Sequence, residues 1–371
     1  MLNKIKNRYN ILLCLMLLVS IILCIPSIQY LLKNKTVSGY STYYSYFLAP
    51  YSGQARGLLE GIIVIALLLI FSLIYVFIVK KEKEIFKTKK SVAWFIIIIS
   101  LIFTMILPMF SSDIFYYIGD SWIAAKYNEN PYYTTVKDLQ DNNINDEILE
   151  NTGYWRNTTS VYGPMWNNIA TLLSSLSFGS ITVALFIYKI AAFMVHIVNC
   201  YLIYKITRNT KNVLLYGLNP LVLVELLSNV HNDIYLIMFI LVAIYFLFKN
   251  KNIYGFIFFL ALSVATKYSS AILVPFLLIY YFKDSPTLLK RILSCILSGL
   301  MIVSIVILLY LPYYRDTSIF TNMLVQNTKY SQSITALMIV KGENTLLQII
   351  DTYKMPVFAL AYVILLMRSI I

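Results

Sequence analysis

Charge is scarce in this sequence: of 371 residues, 13% are charged and 59% are hydrophobic. Soluble globular domains normally carry charge at about 25% of their positions. The chain has too little polar surface to cover a soluble globule, so lipid is expected to solvate it. Apolar runs recur from residue 11 to residue 371, which predicts one membrane domain over residues 1–371.

Cysteine and histidine are also rare, which argues against two kinds of site. The cysteines lie inside apolar runs and lack C-x-x-C or metal-ligand spacing, so they are interpreted as small buried hydrophobic residues: Cys14, Cys24, Cys200 and Cys295. The two histidines, His196 and His231, do not stand at metal-ligand spacing. The sequence therefore predicts no disulfide framework, no metal site and no cofactor.

The net charge of +13 comes from short basic runs between hydrophobic stretches. This distribution is typical of positive-inside topology signals, so we predict membrane lipids and no nucleic acid as partners. The basic residues that flank the first two apolar runs predict a cytoplasmic N-terminus: Lys4, Lys6, Arg8, Lys80, Lys81, Lys83, Lys87, Lys89 and Lys90. The first run is too long for a signal peptide and lacks a small-x-small cleavage pattern, so we expect an uncleaved span.

The fold class predicted is all-α: a polytopic transmembrane protein of the plasma membrane with about 10 to 11 membrane helices. Runs long enough to span a bilayer cover residues 11–32, 58–79, 92–110, 181–204, 234–248 and 291–311. Shorter or interrupted runs cover residues 164–178, 213–227, 253–265, 270–282 and 356–371. A loop at residues 313–354 is expected on the outer face.

One other loop, residues 111–163, is distinguished by its acidic residues. It contains eight of the seventeen acids in the chain: Asp113, Asp120, Glu129, Asp138, Asp141, Asp146, Glu147 and Glu150. It follows the third run, which places it on the outer face. We expect a juxtamembrane amphipathic helix over residues 114–127, a break at Asn130-Pro131, and a solvated flap from Asp138 to Glu150.

The topology contains one conflict. Full crossings by both 164–178 and 181–204 would put Lys205, Arg208 and Lys211 outside, against the positive-inside pattern. If residues 164–178 only enter the outer leaflet, these residues are cytoplasmic, and residues 231–233 and Lys267 face the acidic loop. The sequence leaves open the opposite arrangement, in which residues 231–233 and Lys267 face the cytoplasm.

Several short motifs contain residues that could carry chemistry. Asp113, after Ser111-Ser112, could accept a proton from a sugar hydroxyl beside the membrane, although Ser112 or Asp113 could also cap the following helix. Arg156, before Tyr162-Gly163-Pro164, could hold a phosphate or contact lipid headgroups.

Two further motifs interrupt the later apolar runs. His231-Asn232-Asp233 places ionisable residues at membrane depth, where such residues are costly and usually serve a function. The alternative is that Asn232 or Asp233 only caps the following helix. Lys267 could neutralise a lipid-linked phosphate or reach the membrane surface from a short span.

The order of these motifs resembles that of the polyprenol-phosphate-mannose-dependent mannosyltransferases of the GT-C superfamily. The resemblance covers about residues 105 to 280 and rests on Ser-x-Asp-x-x-x-Tyr at 111–117, Asn-Pro-Tyr at 130–132, Trp-Arg and Tyr-Gly-Pro within 155–164, Asn-Pro-Leu-Val-Leu at 219–223, His-Asn-Asp at 231–233 and Ala-Thr-Lys at 265–267 with Pro275. The early spans match the family poorly, and the chain is shorter than expected after the loop at 313–354.

The resemblance implies a GT-C-like membrane fold and a glycosyltransferase with its active site on the outer face. It would transfer a sugar, with mannose favoured, from a polyprenyl-phosphate donor to a glycan, lipid or protein hydroxyl, with inversion. Asp113 matches the catalytic base position. The residues assigned to substrate binding are Tyr117, Arg156, Tyr162, His231, Asn232, Asp233 and Lys267.

A transporter or lipid-linked-sugar flippase is the alternative from another class. It would show two similar halves and ionisable residues near the middle of the membrane on broken helices. No internal repeat is visible in the sequence, and the acids gather in one loop. Glu225 and Lys189, which lie inside apolar runs, are not explained by the enzyme hypothesis. An inactive scaffold subunit is a third reading.

Overall fold

The computed structural model describes residues 2–39, 55–320 and 344–370. Within these ranges the chain forms helices, turns and irregular segments, without a β-strand, so the predicted all-α class is confirmed. The chain divides into two compact units, Met1–Lys267 and Tyr268–Ile371. The assignment of one membrane domain to residues 1–371 stays a prediction.

The first unit contains the motifs singled out in the sequence, apart from Pro275, which lies in the second unit. Its α-helices are, in chain order, α1 (Leu2–Asn34), α2 (Ala55–Lys80), α3 (Glu82–Ile85), α4 (Lys89–Met105), α5 (Asp113–Tyr127), α6 (Val136–Asp141), α7 (Glu147–Glu150), α8 (Pro164–Ser175), α9 (Ile181–Thr207), α10 (Thr210–Gly217), α11 (Pro220–Val222), α12 (Asp233–Tyr245) and α13 (Ile253–Thr266). Helices α11 and α12 each continue into a π-helix, Leu223–Ser228 and Phe246–Asn250.

Five helices in the described ranges are long and apolar enough to cross a membrane: Tyr9–Asn34, Gly61–Lys80, Ile181–Thr207, Asp233–Asn250 and Leu288–Tyr313. Each overlaps an apolar run of the sequence. Shorter apolar helices occupy Ile253–Thr266 and Tyr268–Tyr281. These helices confirm a polytopic membrane protein.

The third apolar run, expected to span from residue 92 to 110, ends earlier as a helix. Helix α4 stops at Met105, and residues 106–112 are not helical. Pro108 explains part of this, because a proline disfavours helical geometry at the residue before it. The freed backbone is bonded inside the protein, where Leu107 N donates to Ser27 Oγ at 2.9 Å. The sequence suggested that Asp113 directly follows a span. In the structure, seven non-helical residues, 106–112, separate it from α4.

Helix α8 does not cross the bundle. Its 12 residues measure about 18 Å at about 1.5 Å per residue, which is shorter than a bilayer core of about 30 Å. Before its start, Gly163 N donates to Thr266 O at 3.2 Å, and near its end Ser174 Oγ lies 2.7 Å from Ser121 Oγ. Helix α9 then begins beside the end of α1, where Thr182 Oγ1 lies 2.9 Å from Thr36 Oγ1.

The first unit therefore has two distinct ends. The acidic end holds residues 106–182, and the basic end holds residues 80–90. Helix α9 leads from the acidic end to the basic end, where Lys89 Nζ lies 5.2 Å from the centroid of the Tyr204 ring. Helices α12 and α13 form a hairpin. The start of α12 and the end of α13 meet, because Lys267 Nζ lies 2.8 Å from Asp233 Oδ2. Residues 231–233 and Lys267 thus share the acidic end, as expected if residues 164–178 do not cross.

The second unit consists of a 3₁₀ segment, Tyr268–Leu273, and the helices α14 (Val274–Tyr281), α15 (Leu288–Tyr310) and α16 (Asn344–Ile370). Arg291 Nη2 donates to Ile279 O and to Ser369 O, each at 3.3 Å, and so connects these helices within the unit. The outer loop expected at residues 313–354 stays a prediction. Residues 321–343 lie outside the described ranges, and α16 begins at Asn344.

Candidate functional site

Asp113 is the first residue of α5, and its carboxylate is not used as a helix cap. Ser112 occupies the N-cap position without a side-chain capping bond, while the Asp113 backbone N–H donates to Ser111 Oγ at 3.2 Å. An acidic residue in a first turn is stabilised by the positive end of the helix dipole. The Asp113 side chain is 30% exposed, so it is held by the helix and still reachable.

His231 meets Asp113 at the acidic end. Its Nδ1 atom lies 3.7 Å from Asp113 Oδ2, and its Nε2 atom lies 3.1 Å from Glu225 Oε2. Val230, directly before it, has φ of 59°, which is unusual for a β-branched residue and marks local backbone strain. The two carboxylates place the imidazole between two acceptors.

Asn229 connects this histidine to the segment that leads to Asp113. Its Nδ2 atom donates to Glu225 Oε2 at 3.1 Å, and its Oδ1 atom accepts from Met109 N at 2.9 Å and from Phe110 N at 3.2 Å. The side chain is fully buried. Asn229 was not identified from the sequence. The signal that could have found it is a polar residue four positions from Glu225 in an apolar run.

The electrostatics of His231 favour its charged form. Burial alone would lower the pKa of His231, but the hydrogen bond to Glu225 and the charge of Asp113 outweigh it, so the pKa is raised. A raised pKa means that the proton is retained to higher pH than in a free histidine. Asp113 therefore faces an imidazolium over a wider pH range.

Two predicted tyrosines are brought to the same place. Tyr117 OH lies 3.4 Å from His231 Nδ1, and Tyr162 OH donates to Tyr117 OH at 3.4 Å. Their rings pack edge to face with centroids 5.2 Å apart, and Tyr117 also packs on Trp166 at 5.2 Å. Together these aromatic rings form a wall beside the Asp113 and His231 pair.

Asp233 and Lys267 form an ion pair. Lys267 Nζ donates to Asp233 Oδ1 at 3.0 Å and to Oδ2 at 2.8 Å, and each side chain is about one third exposed, at 32% and 35%. Asn232 is the N-cap residue of α12 but makes no side-chain capping bond. It is fully buried, and both polar atoms of its amide lack a partner among the described residues. Capping therefore does not account for Asn232.

Gly163 permits a close approach between two predicted motifs. A Cβ atom at this position would lie 2.0 Å from Ala265 O, which is closer than real Cβ contacts. The backbone of Tyr162-Gly163-Pro164 thus lies directly against that of Ala265-Thr266-Lys267. Glycine at this position sets how near Tyr162 and Lys267 can be.

Lys189 positions the backbone behind the site. Its buried Nζ atom donates to Ile106 O at 2.7 Å, to Ser228 O at 2.9 Å and to Leu227 O at 3.2 Å. These carbonyls belong to the segments that lead to Asp113 and His231. The sequence alone gives Lys189 no role. These three contacts show that it acts as a structural clamp.

Arg156 is placed differently from the other predicted residues. It is exposed on a 3₁₀ turn, Gly153–Asn157, and among the described residues it makes no hydrogen bond or ion pair. Its neighbour Trp155 packs on Tyr116, with ring centroids 6.4 Å apart. A phosphate-binding role for Arg156 stays a prediction.

The expected solvated flap is wrong for Asp146. Its Oδ2 atom accepts from Tyr127 OH at 2.7 Å, Trp122 Nε1 at 2.8 Å and Lys126 Nζ at 2.9 Å, and its side chain is 14% exposed. Its Oδ1 atom caps α7 by accepting from two backbone N–H groups. Asp146 thus fastens the end of α5 to α7.

Asp120 is the second acid on α5 and, unlike Asp113, it is buried. Burial raises the pKa of Asp120 to about 8, against the opposing effect of a hydrogen bond with Ser160. Its Oδ1 atom has no partner within the described part of the chain. A neutral carboxyl fits this environment better than a carboxylate.

The chain is similar to known proteins over most of its length. A family model described as alpha-(1->6)-mannopyranosyltransferase, N-terminal domain, matches residues 21–283. The chain is 25% identical over 219 residues to alpha-(1->6)-mannopyranosyltransferase A of Corynebacterium glutamicum; the match covers 54% of the chain and 43% of that protein. The chain thus aligns with less than half of this relative. No solved structure matches the chain significantly.

Proposed function

We propose, from the premise that the chain belongs to the alpha-(1->6)-mannopyranosyltransferase family, that it is a membrane glycosyltransferase that transfers mannose from a polyprenyl-phosphate donor. The observation that carries this proposal is the Asp113 carboxylate, reachable at the start of α5 and 3.7 Å from His231. Such a carboxylate is suited to take a proton from an acceptor hydroxyl. The acceptor is a glycan, lipid or protein.

The reaction we propose is a single displacement with inversion. The acceptor oxygen forms a bond to the anomeric carbon of the sugar, and its proton passes to the Asp113 carboxylate. The bond between the anomeric carbon and the phosphate oxygen breaks, and polyprenyl phosphate leaves with the electron pair. Proximity of the two substrates to one carboxylate supplies the orientation that such a step needs.

The other site residues have separate roles in this proposal. The His231 imidazolium lies beside the Asp113 carboxylate and offers positive charge near the leaving phosphate. Lys267, held by Asp233, supplies a second cation, while Tyr117 and Tyr162 line the sugar-binding wall. Asn232, a buried amide whose two polar atoms lack a partner among the described residues, is assigned to a substrate hydroxyl that reaches it when the substrate binds.

We place the site on the outer face of the membrane. Support comes from the lysines near residues 80–90, which lie at the opposite end of the first unit from Asp113 and are typical of the cytoplasmic side. The N-terminus is then cytoplasmic. The polyprenyl chain of the donor would lie in the bilayer while its phosphate reaches the acidic end.

The two residues that favoured a transport function, Glu225 and Lys189, both have partners within the protein. Glu225 contacts His231 at 3.1 Å, and Lys189 binds three backbone carbonyls. Both ionisable groups therefore have partners that belong to the site and its supporting backbone. Neither needs a transported substrate to explain it.

The test begins by naming the donor, with wild-type membranes offered several labelled polyprenyl-phosphate sugars. Purified Asp113→Asn is then compared with wild type and with Asp141→Asn, an exposed acid of the same loop. Loss of a general base should lower transfer by about 100-fold or more, while donor binding persists. Transfer at the wild-type rate by Asp113→Asn would remove Asp113 from the mechanism.

A further inference from the structure

A cationic pocket lies at the basic end of the first unit, away from the Asp113 cluster. Its volume is about 580 Å³, and four cations are among its lining residues: Lys83, Lys87, Lys89 and Arg208. One carboxylate, Glu82, also lines it. The pocket joins the start of α4 to the residues that follow α9.

The carboxylates nearby do not neutralise these four cations. Glu82 is 9% exposed and accepts a hydrogen bond from the Thr210 hydroxyl. Glu84 is occupied by Lys81, whose Nζ atom lies 2.8 Å from Glu84 Oε1. Among the described residues, none of the four pocket cations forms a salt bridge. The pocket therefore has an excess of positive charge that an anion would balance.

Arg208 has an unusual backbone for its position. It is the C-cap of α9 with φ of 55°, a left-handed conformation that glycine or asparagine usually adopts at helix ends. Its guanidinium lies 5.9 Å from the centroid of the Tyr204 ring, above which Lys89 Nζ also lies at 5.2 Å. Two cations thus approach one aromatic ring, and within the described part of the chain neither forms a salt bridge.

An apolar groove opens directly beside this pocket. Its volume is about 350 Å³, and it shares Lys89, Val92 and Thr210 with the cationic pocket. The groove continues along α4 as far as Ile97 and along α9 back to Ile197. At about 1.5 Å per residue these stretches extend about 12 to 15 Å from the basic end. That length is suited to part of an acyl chain.

We propose that this composite cleft binds one membrane phospholipid with an anionic headgroup. The phosphate would lie among Lys83, Lys87, Lys89 and Arg208, and an acyl chain would lie in the groove between α4 and α9. Basic pockets between membrane helices bind anionic headgroups in this way, and Arg suits phosphate by its paired N–H donors. The site is separate from the proposed transfer reaction and does not depend on it.

The headgroup arm of the test uses native mass spectrometry of the full chain in detergent, with phosphatidylglycerol or phosphatidylcholine added. Wild type should retain one phosphatidylglycerol, and Lys83→Gln/Lys87→Gln should reduce its retention about tenfold or more. Lys249→Gln/Lys251→Gln removes the same charge at the same end but outside the pocket, and it should retain the lipid as wild type does. Equal retention of both lipids, or an equal loss in the two double variants, would overturn the proposal.

The acyl-chain arm separates a lipid from a free anion. Ala93→Phe fills the groove and should reduce phosphatidylglycerol retention, whereas Ile98→Phe, on the same helix outside the groove, should not. Inorganic phosphate serves as the second probe. If it displaces the lipid at equal concentration, or if Ala93→Phe leaves lipid retention unchanged, the cleft is an anion pocket only. A dimer detected in place of bound lipid would equally overturn the proposal.

Discussion

Glu225 holds His231 by the ring nitrogen that points away from Asp113: Glu225 Oε2 lies 3.1 Å from His231 Nε2. The opposite nitrogen, Nδ1, lies 3.7 Å from Asp113 Oδ2. The closer Glu225 carboxylate therefore orients the ring and supports its charge, while the Asp113 carboxylate lies beyond hydrogen-bonding distance of the ring. Two acids in contact with the same histidine are thereby given different roles.

The first prediction concerns pH. In wild type the raised pKa of His231 keeps the imidazolium present at low pH, and it is lost as pH rises through that pKa. Glu225→Gln removes the negative partner, so the fall in transfer rate on the alkaline side should move to lower pH. The profile of kcat/KM against pH measures this shift. Glu129→Gln, an exposed acid of the loop, should keep the wild-type profile, and an unmoved profile in Glu225→Gln would contradict the role given to it.

The second prediction concerns the clamp at Lys189. Lys189→Met removes the donor that three buried carbonyls share, and each carbonyl left unsatisfied costs about 1–3 kcal/mol. The Ile106 carbonyl keeps one longer bond, from Ser228 Oγ at 3.4 Å. The melting temperature in detergent should fall, and transfer should fall with it. Lys205→Met makes the same change on the same helix at a less buried position, and it should melt close to wild type. Equal melting temperatures for the two variants would show that the clamp contributes nothing.

The third prediction concerns the contact of Gly163 with Ala265. Gly163→Ala introduces a methyl group 2.0 Å from a backbone oxygen, so the two segments must separate at a cost of about 1–3 kcal/mol. Both thermal stability and sugar transfer should decrease. Gly299→Ala, where a Cβ meets no described atom within 4 Å, is the matched control and should be neutral or stabilising by up to about 1 kcal/mol. Wild-type stability in Gly163→Ala would refute the close approach.

The fourth prediction concerns Asp146. Asp146→Ala removes the acceptor shared by Trp122, Lys126 and Tyr127 together with the cap of α7, so residues 128–150 should become more susceptible to limited proteolysis. Burial alone would raise the pKa of the Asp146 carboxyl, but its hydrogen bonds outweigh burial and lower that pKa. The stability that Asp146 contributes to the loop is therefore present at neutral pH and is lost on acidification. Asp141→Ala changes an exposed acid of α6 and should cleave as slowly as wild type. Identical cleavage of both variants would contradict the fastening role.

The sequence predicted the acidic-end cluster because its members interrupt apolar runs. Asp113, His231, Asp233 and Lys267 each stand where a hydrophobic stretch begins or ends, and polar residues there are costly unless they have partners. Their common end followed from counting crossings once residues 164–178 were kept on one side. The structure brings all four together through the contacts of His231 and Lys267.

The supporting residues could not be predicted because their partners are backbone atoms distant in sequence. Lys189 binds carbonyls at residues 106, 227 and 228, and Asn229 binds backbone N–H groups at residues 109 and 110. The early end of α4 was missed for a related reason, because the group that accepts the freed Leu107 N–H is the side chain of Ser27, 80 positions away in the sequence. The sequence alone does not show that such an acceptor lies beside Pro108.

The contacts of Lys189 also have a consequence for the order in which the protein is assembled. An ammonium group at the centre of a membrane helix costs about 2.5–3.5 kcal/mol during insertion. Two of the three carbonyls that receive it are contributed by residues 38 and 39 positions later in the chain. Full solvation of the Lys189 ammonium inside the protein therefore requires Leu227 and Ser228 to be in place. The same two residues lead to His231, so the packing of α9 and the placement of the site histidine depend on one set of contacts.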